Sequence, residues 1–116
     1  MKVVNNLIQL KELITESILY SCSWDYKKNK HYVYLTKSKM YKYVYNYASK
    51  TYSYIVYFIK DFSSLHCYPH TSGEMSWILI TNRYNNYPVA QIEFPASEEG
   101  AKEAEKLFTA ISKVIN

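Results

Sequence analysis

The chain has 116 residues, a size typical of one domain and too small for two ordinary cores. Its residues are 48% hydrophobic and only 21% charged, which excludes a disordered chain, and its formal net charge at pH 7 is +4. Two cysteines, Cys22 and Cys67, provide no disulfide framework. No apolar run reaches the roughly 18 residues that cross a bilayer, and the polar N-terminus is unlike a signal-peptide core. We therefore expect one cytoplasmic domain over residues 1–116, without a transmembrane segment.

The first predicted element is an amphipathic helix over roughly residues 4–18. Apolar side chains recur there at spacings of three or four, with lysine and glutamate between them. The apolar positions are Val3, Leu7, Leu10, Ile14 and Ile18.

The middle of the chain has hydrophobic residues at a period of two, which predicts short antiparallel strands. Three strands are predicted from "KHYVYLT", "YKYVYNYA" and "TYSYIVYFIK", and two weaker ones from "LYSCSWDYK" and "LHCYP". A hairpin is predicted from "SWILITNR" and "YPVAQIEF", because Asn85 and Asn86 between them tolerate the left-handed backbone of a tight turn. The total is about six or seven strands.

The last predicted element is a C-terminal helix that begins after Pro95. Ser97 is placed to cap its first free amides, and Glu98 and Glu99 suit the positive end of the helix dipole. Its apolar face consists of Ala101, Ala104, Leu107, Phe108, Ile111, Val114 and Ile115.

Together these elements predict an α+β fold in which an antiparallel sheet of about six or seven strands forms a bent sandwich or partly open barrel. An N-terminal and a C-terminal helix flank the sheet. A two-layer arrangement with both helices on one face of the sheet is the alternative.

The C-terminal third resembles the closing half of pleckstrin-homology-like domains. The resemblance is carried by "SWILITNRYNNYPVAQIEFPASEEGAKEAEKLFTAISKVI", a hairpin whose last strand ends in "IEF" before a capped helix. It implies a bent sandwich plugged by one C-terminal helix, and binding of lipids, peptides or proteins rather than catalysis. The helix has Phe108 near the position where the family usually has a tryptophan, and the resemblance assigns no site residues.

Residues 40–58 contain seven of the fourteen tyrosines. Side chains alternate between the faces of a strand, so Tyr41, Tyr43, Tyr45 and Tyr47 are predicted to share one face. The rings either pack in the core against a helix or a second sheet, or stand exposed and bind a ligand.

Between Trp24 and Lys60 the chain has eight lysines and one acid, Asp25. This excess of positive charge favours an anionic ligand, although a solvated lysine face is the common alternative. The residues predicted to bind a ligand or partner are Tyr41, Tyr43, Tyr45, Tyr47, Lys37, Lys39, Lys50 and Arg83.

Catalytic and metal-binding patterns are weak. His66, Cys67 and His70 are close in sequence, but a structural zinc site normally needs four ligands, and the remaining candidates, Cys22 and His31, are distant. Cys67 beside a histidine has the ingredients of a thiol nucleophile, whereas a free cysteine is usually a small buried hydrophobe. No phosphate-binding loop, dinucleotide fingerprint or hydrolase motif is present. We therefore predict no enzyme, no cofactor and no metal site.

The leading functional prediction is a non-catalytic binding module for a protein or a small anionic ligand. A small inhibitor encoded by a phage or mobile element has these features, and homodimerisation through a tyrosine-rich strand or the N-terminal helix is compatible with them. The alternative is nucleic-acid binding through residues 24–60, with lysines on phosphates and tyrosines stacked on bases. An enzyme using Cys67 is the third possibility.

Overall fold

The computed structural model describes residues 2–4, 6–68 and 76–115. The chain divides into two compact units, residues 1–57 and 58–116, and each unit is described by itself. The prediction of a single domain stays a prediction.

The first unit contains a five-stranded antiparallel sheet in the order β1-β5-β4-β3-β2. The strands from β2 to β5 follow one another in sequence and in space, so this part of the sheet is a meander of hairpins. The strand β1 lies at the other edge and pairs with β5. The elements are β1 (Lys2–Val4), α1 (Leu7–Glu12), β2 (Tyr20–Tyr26), β3 (Asn29–Leu35), β4 (Lys39–Asn46) and β5 (Thr51–Phe58).

The N-terminal helix is much shorter than the predicted residues 4–18, and that prediction is wrong. Helix α1 has six residues, and the residues before it form β1 instead. The side chain of Asn6 caps α1 by accepting a hydrogen bond from the Gln9 amide at 3.1 Å. Beyond Glu12 the chain is rich in Ile, Thr and Ser, which are weaker helix formers than Leu, Lys or Glu.

Helix α1 packs on the tyrosine face of the sheet. Tyr41 and Tyr43 are 2% and 0% exposed, and Leu10 of α1 is buried in the same cluster. The Tyr43 hydroxyl donates a hydrogen bond of 2.6 Å to the Leu10 carbonyl oxygen, and burial raises the pKa of this phenol well above its usual range. Tyr41 and Tyr43 are therefore core side chains, and the hydroxyl of Tyr43 is satisfied by the backbone of α1.

The second unit contains a three-stranded antiparallel sheet in the order β6-β7-β8, on which α2 packs. Helix α2 places Ala104, Leu107 and Ile111 in the core, and β7 contributes Ile78 and Ile80. The elements are a 3-10 helix (Ile59–Asp61), β6 (Phe62–Tyr68), β7 (Ser76–Asn82), β8 (Pro88–Phe94) and α2 (Glu98–Ile115).

The α+β class, the antiparallel strands and the C-terminal helix are confirmed, but the single sheet of six or seven strands is wrong. The described strands form two sheets, of five and three strands. The predicted strand over residues 51–60 stops at Phe58 because Ile59–Asp61 form a 3-10 turn, and β6 then pairs with β7.

The start of α2 is capped as predicted. The Ser97 hydroxyl oxygen accepts a hydrogen bond from the Gly100 amide at 3.0 Å, and the Ser97 carbonyl oxygen accepts one from Ala101. Gly100 is buried, and a Cβ built on it would lie 2.1 Å from the Pro95 carbonyl oxygen. Only a glycine allows the helix to begin this close to the end of β8.

We expect Gly100→Ala to lower the free energy of unfolding by about 1–3 kcal/mol, the usual cost of overpacking. Helix propensity alone would favour alanine by about 1 kcal/mol, so the sign of the change reports the contact with Pro95. Urea denaturation measures it. Lys102→Ala, at an exposed position of the same helix, is the control and should change stability by less than about 0.5 kcal/mol. A stabilised Gly100→Ala protein would contradict the packing described.

Candidate functional site

The tyrosine face of the first sheet has a covered end and an open end. Tyr41 and Tyr43 lie beneath α1, so an exposed surface can include only Tyr45 and Tyr47 of the four predicted rings. Tyr45 is half-buried. Tyr47 follows the last residue of β4, lies in the turn and is 47% exposed.

Four tyrosines form a continuous cluster that begins at the open end, and two of them, Tyr32 and Tyr52, pack against the buried cluster beneath α1. The ring centroids of Tyr45 and Tyr52 are 4.6 Å apart, those of Tyr45 and Tyr47 are 5.5 Å apart, and Tyr32 lies 6.4 Å from Tyr52. The hydroxyls of Tyr32 and Tyr52 hydrogen-bond to each other. These distances are typical of interacting aromatic pairs, which fix the orientation of the rings.

One acid borders this cluster. The Tyr47 hydroxyl donates a hydrogen bond of 2.5 Å to an Asp25 carboxylate oxygen, from the turn after β4 to β2. This bond, desolvation and the carboxylate charge raise the pKa of Tyr47 to about 12. The bond holds the Tyr47 ring in place although it lies in a turn.

Three lysines occupy strained positions in the turns beside the cluster. Lys27 and Lys28 are the two central residues of the β2–β3 hairpin, and both have positive φ, at 51° and 63°. Lys50, with φ at 56°, precedes β5 in the next turn along this end of the sheet. The Tyr47 amide donates to the Lys28 carbonyl oxygen at 3.3 Å, so the two turns adjoin. Asparagine and glycine are the usual residues at such positions.

The turn that contains Lys50 has a counterpart in the second unit. In the first turn the Lys50 amide donates to the Asn46 carbonyl oxygen, and the Asn46 side chain accepts from Ala48. In the second turn the Asn86 amide donates to the Asn82 carbonyl oxygen, and the Asn82 side chain accepts from the Tyr84 amide. The left-handed residue is Asn86 there, with φ at 59°, but Lys50 here.

The tyrosines and lysines of the open end form one positively charged surface, which we call the tyrosine–lysine patch. The Lys30 Nζ lies 5.7 Å from the centroid of the Tyr32 ring. No acid occurs in the sequence between Asp25 and Asp61, and residues 1–57 have nine lysines against three acids, a net charge of +6. The patch consists of Tyr32, Tyr45, Tyr47, Tyr52, Lys27, Lys28, Lys30 and Lys50. Lys27 lies at its margin, because the Lys27 Nζ lies 5.2 Å from the centroid of the Tyr26 ring, which contacts His31 on the other face of the sheet.

A cavity of about 250 Å³ adjoins the patch at Tyr32. It combines two aromatic rings with serines of the edge strand β2, so aromatic surface and hydroxyl groups are available side by side. The lining residues are Ser21, Cys22, Ser23, Tyr32 and Tyr34.

Lys37 and Lys39 lie at the opposite end of the first sheet. Strand β4 begins at Lys39 and ends at Asn46, a distance of about 23 Å at 3.3 Å per residue. The Glu16 carboxylate accepts hydrogen bonds from Ser38 and Thr36, which, with the two lysine charges, lower its pKa. The structure therefore separates these two lysines from Lys50 and places an anionic group beside them.

Arg83 belongs to the β7–β8 hairpin of the second unit. Its amide donates to the Asp61 carbonyl oxygen at 2.8 Å, and its side chain is exposed. The neighbouring Tyr84 and Tyr87 are 76% and 70% exposed. Arg83 belongs to the second unit, whereas the tyrosine–lysine patch is defined by residues of the first.

The candidate thiol site has the wrong geometry for nucleophilic activation. His66 is exposed and Cys67 is half-buried, and as adjacent residues of β6 they point to opposite faces of the sheet. Burial and the charge of Glu105 raise the pKa of Cys67, whereas a reactive thiol needs a lowered pKa. His70 lies outside the described residues. Within the described ranges, no three His, Cys, Asp or Glu side chains lie close enough to hold a metal ion.

His31 forms a second polar cluster, on the other face of the first sheet. Its ring stacks on Trp24 at 5.4 Å between centroids, its Nδ1 lies 2.8 Å from the Lys42 Nζ, and its Nε2 lies 3.4 Å from the Tyr26 carbonyl oxygen. The lysine can only donate, so Nδ1 accepts and the proton is on Nε2. Burial and the Lys42 charge lower the pKa of His31 to about 4. The imidazole is therefore neutral at pH 7 and too weak a base for acid–base catalysis.

Comparison of the chain with protein-family models, curated proteins and solved structures gave no match. The pleckstrin-homology-like resemblance therefore stays a prediction. In the part of the chain that the structure describes, no helix has the length and apolar character needed to cross a membrane.

The predicted site omitted Lys27 and Lys28, although the sequence contains a signal for them. A segment "YKKN" joins two tyrosine-rich strands through only two residues, and a two-residue hairpin favours positive φ at both. Lysines at such positions are unusual. Tyr52 was harder to identify, because both faces of β5 carry large apolar side chains.

We expect the strained lysines to lower the stability of the protein. The double variant Lys27→Asn/Lys28→Gly, which has the preferred residues of this turn, should be more stable by about 1–2 kcal/mol. Lys50→Asn should raise the free energy of unfolding by about 1 kcal/mol, because asparagine tolerates the left-handed backbone, as Asn86 does at the equivalent position. Thermal and urea unfolding measure both. The reverse change, Asn86→Lys, is the control and should destabilise; unchanged stability in all three variants would refute the strain.

We expect His31 to make the protein less stable at mildly acidic pH. Its pKa is about 4 when folded but near 6.5 when unfolded, so between these values the unfolded state binds a proton that the folded state does not. The free energy of unfolding should therefore fall as the pH is lowered from about 6.5 to about 4. In urea titrations at several pH values, His31→Gln should flatten this dependence and the exposed control His66→Gln should not. Equal slopes in all three proteins would contradict the assignment.

Proposed function

We propose that the protein is a non-catalytic binding module that holds an anionic ligand on the tyrosine–lysine patch. One observation carries the proposal: Lys27, Lys28 and Lys50 occupy left-handed positions in adjoining turns, where asparagine or glycine would be more stable. Strain that persists in a folded protein is concentrated at functional positions. Three cations retained at one end of a sheet favour a negatively charged ligand.

The titratable groups support binding rather than catalysis. His31 is neutral, half-buried and stacked on Trp24, and the Cys67 thiol has a raised pKa. Tyr47 is locked as a neutral phenol by Asp25. None of these groups has the pKa near 7 that a general acid or base needs.

A protein partner is the alternative ligand. The charge of the first unit favours an anion over a neutral protein surface, since the lysines of the patch are balanced locally only by Asp25. Long, hydrated lysine side chains are also depleted in protein–protein interfaces, whereas they are common contacts of phosphates.

Inorganic polyphosphate of about 15 units is a suitable probe, because it has phosphate charge and no aromatic group. Isothermal titration calorimetry at low salt should detect binding that weakens steeply as salt is added. The triple variant Lys27→Gln/Lys28→Gln/Lys50→Gln should raise the Kd at least tenfold. Glutamine keeps the same backbone strain, so the fold should be preserved.

The matched control is Lys102→Gln/Lys106→Gln/Lys113→Gln, which removes three exposed lysines from α2. Its net charge equals that of the first triple variant, and its Kd should change by less than twofold. If the two variants lose the same affinity for polyphosphate, the binding is a nonspecific attraction by net charge. That result, or no binding of polyphosphate by the unmodified protein, would contradict the proposal.

A further inference from the structure

We propose that the anionic ligand is a single-stranded nucleic acid, with phosphates on the turn lysines and unpaired bases stacked on the tyrosines. This inference rests on the proposed function and specifies the class of its ligand. The tyrosine–lysine patch combines the two groups that such a ligand needs, and it does so on one end of one sheet.

The exposed part of the tyrosine cluster favours a ligand with aromatic groups. A polyphosphate would use the lysines alone and would leave the exposed Tyr47 ring without a contact. Tyr47 is 47% exposed, and its edge-to-face contact with Tyr45, at 86° between ring planes, leaves aromatic surface available. Bases stack on such rings whatever their sequence, because every base has a π-face.

The lysines and the rings of the patch lie next to one another. Lys28 and Lys50 lie in the turns at the end of the sheet, and the rings of Tyr45 and Tyr52 begin immediately inside it. The strand residues of the patch lie in β3, β4 and β5, about 10 Å across at 4.8 Å between strands. A strand of a few nucleotides that crosses this end would place its backbone on the lysines and its bases over the rings.

The cavity beside Tyr32 adds aromatic surface and hydroxyl groups to the patch. Its volume of about 250 Å³ is small, and it combines two tyrosine rings with the hydroxyls of Ser21 and Ser23. A flat heterocycle with donors and acceptors along its edge fits this chemistry. Poly-glutamate can accept hydrogen bonds from the hydroxyls but has no aromatic group for the rings.

A duplex is a poorer ligand than a single strand. Paired bases are stacked within the helix and present only their edges, so the tyrosine rings would have nothing to stack against. We therefore expect selectivity for the unpaired form.

Fluorescence anisotropy of labelled oligonucleotides tests the inference. Single-stranded oligothymidylate of about 15 nucleotides should bind at least tenfold more tightly than inorganic polyphosphate of the same length and than duplex DNA. Poly-glutamate is the fourth probe and should be the weakest competitor. The salt dependence should show release of a few counterions, and Lys27→Gln/Lys28→Gln/Lys50→Gln should weaken both the oligonucleotide and the polyphosphate.

The ring of Tyr47 provides the sharpest test. Tyr47→Ala should weaken oligonucleotide binding about tenfold and leave polyphosphate binding unchanged, whereas Tyr47→Phe, which keeps the ring and loses only the bond to Asp25, should bind almost normally. Tyr84→Ala, at an exposed ring of the second unit, is the matched control and should have no effect. Ser21→Ala/Ser23→Ala tests the cavity and should weaken the oligonucleotide a few-fold while leaving polyphosphate unchanged.

The outcomes separate this inference from the function it rests on. If oligothymidylate and polyphosphate bind with equal affinity, and Tyr47→Ala does not change the affinity for the oligonucleotide, the nucleic-acid assignment is wrong. The proposal of an anion site would then still stand. Equal affinity for single strand and duplex, or tighter binding of poly-glutamate, would overturn the nucleic-acid assignment as well. If Ser21→Ala/Ser23→Ala does not change the affinity for the oligonucleotide, the cavity is not part of the binding surface. If the lysine triple variant and its α2 control lose the same affinity for the oligonucleotide and for polyphosphate, both the nucleic-acid assignment and the anion site are wrong.

Discussion

The surface of the first unit depends on how much of one sheet face a six-residue helix can cover. Helix α1 is about 9 Å long, whereas the eight residues of β4 extend for about 26 Å. The contact between Leu10 and Tyr43 fixes the helix over one end of the face. The same type of side chain is therefore core at one end of the strand and surface at the other. A helix of the predicted length would have buried much of the face.

At the open end, the lysines that supply positive charge also lower the stability of the turns in which they lie. The turns beside the tyrosine cluster would fold more favourably with asparagine and glycine, and the turn with Asn86 shows that the chain uses such residues elsewhere. Residues 58–116 have five basic and seven acidic residues, a net charge of −2, so the positive charge of the protein is concentrated in the first unit. Lysines at strained positions of that unit are easier to explain by what they bind than by what they stabilise.

Much of the fold could be predicted from the sequence, because periodicity and capping are local signals. Every predicted strand is present, and Ser97 caps α2. The division into two sheets could not be predicted, since it depends on whether β6 pairs with β5 or β7, and both pairings satisfy the same alternating pattern. For the site, the alternation of side chains places Tyr41 and Tyr45 on one face, but it does not show that Tyr41 is buried while Tyr45 is only half-buried. Lys37 and Lys50 were grouped because they are close in sequence, although a whole strand separates them.

The pairing of β1 with β5 determines the order in which the first sheet can be completed. Each hairpin from β2 to β5 joins neighbouring segments, so these strands can pair as soon as they leave the ribosome. Residues 2–4 are synthesised before these four strands, but their partners are residues 52–54. Strand β1 must therefore stay unpaired through about fifty residues of synthesis, and it closes a sheet that β2 to β5 have already built.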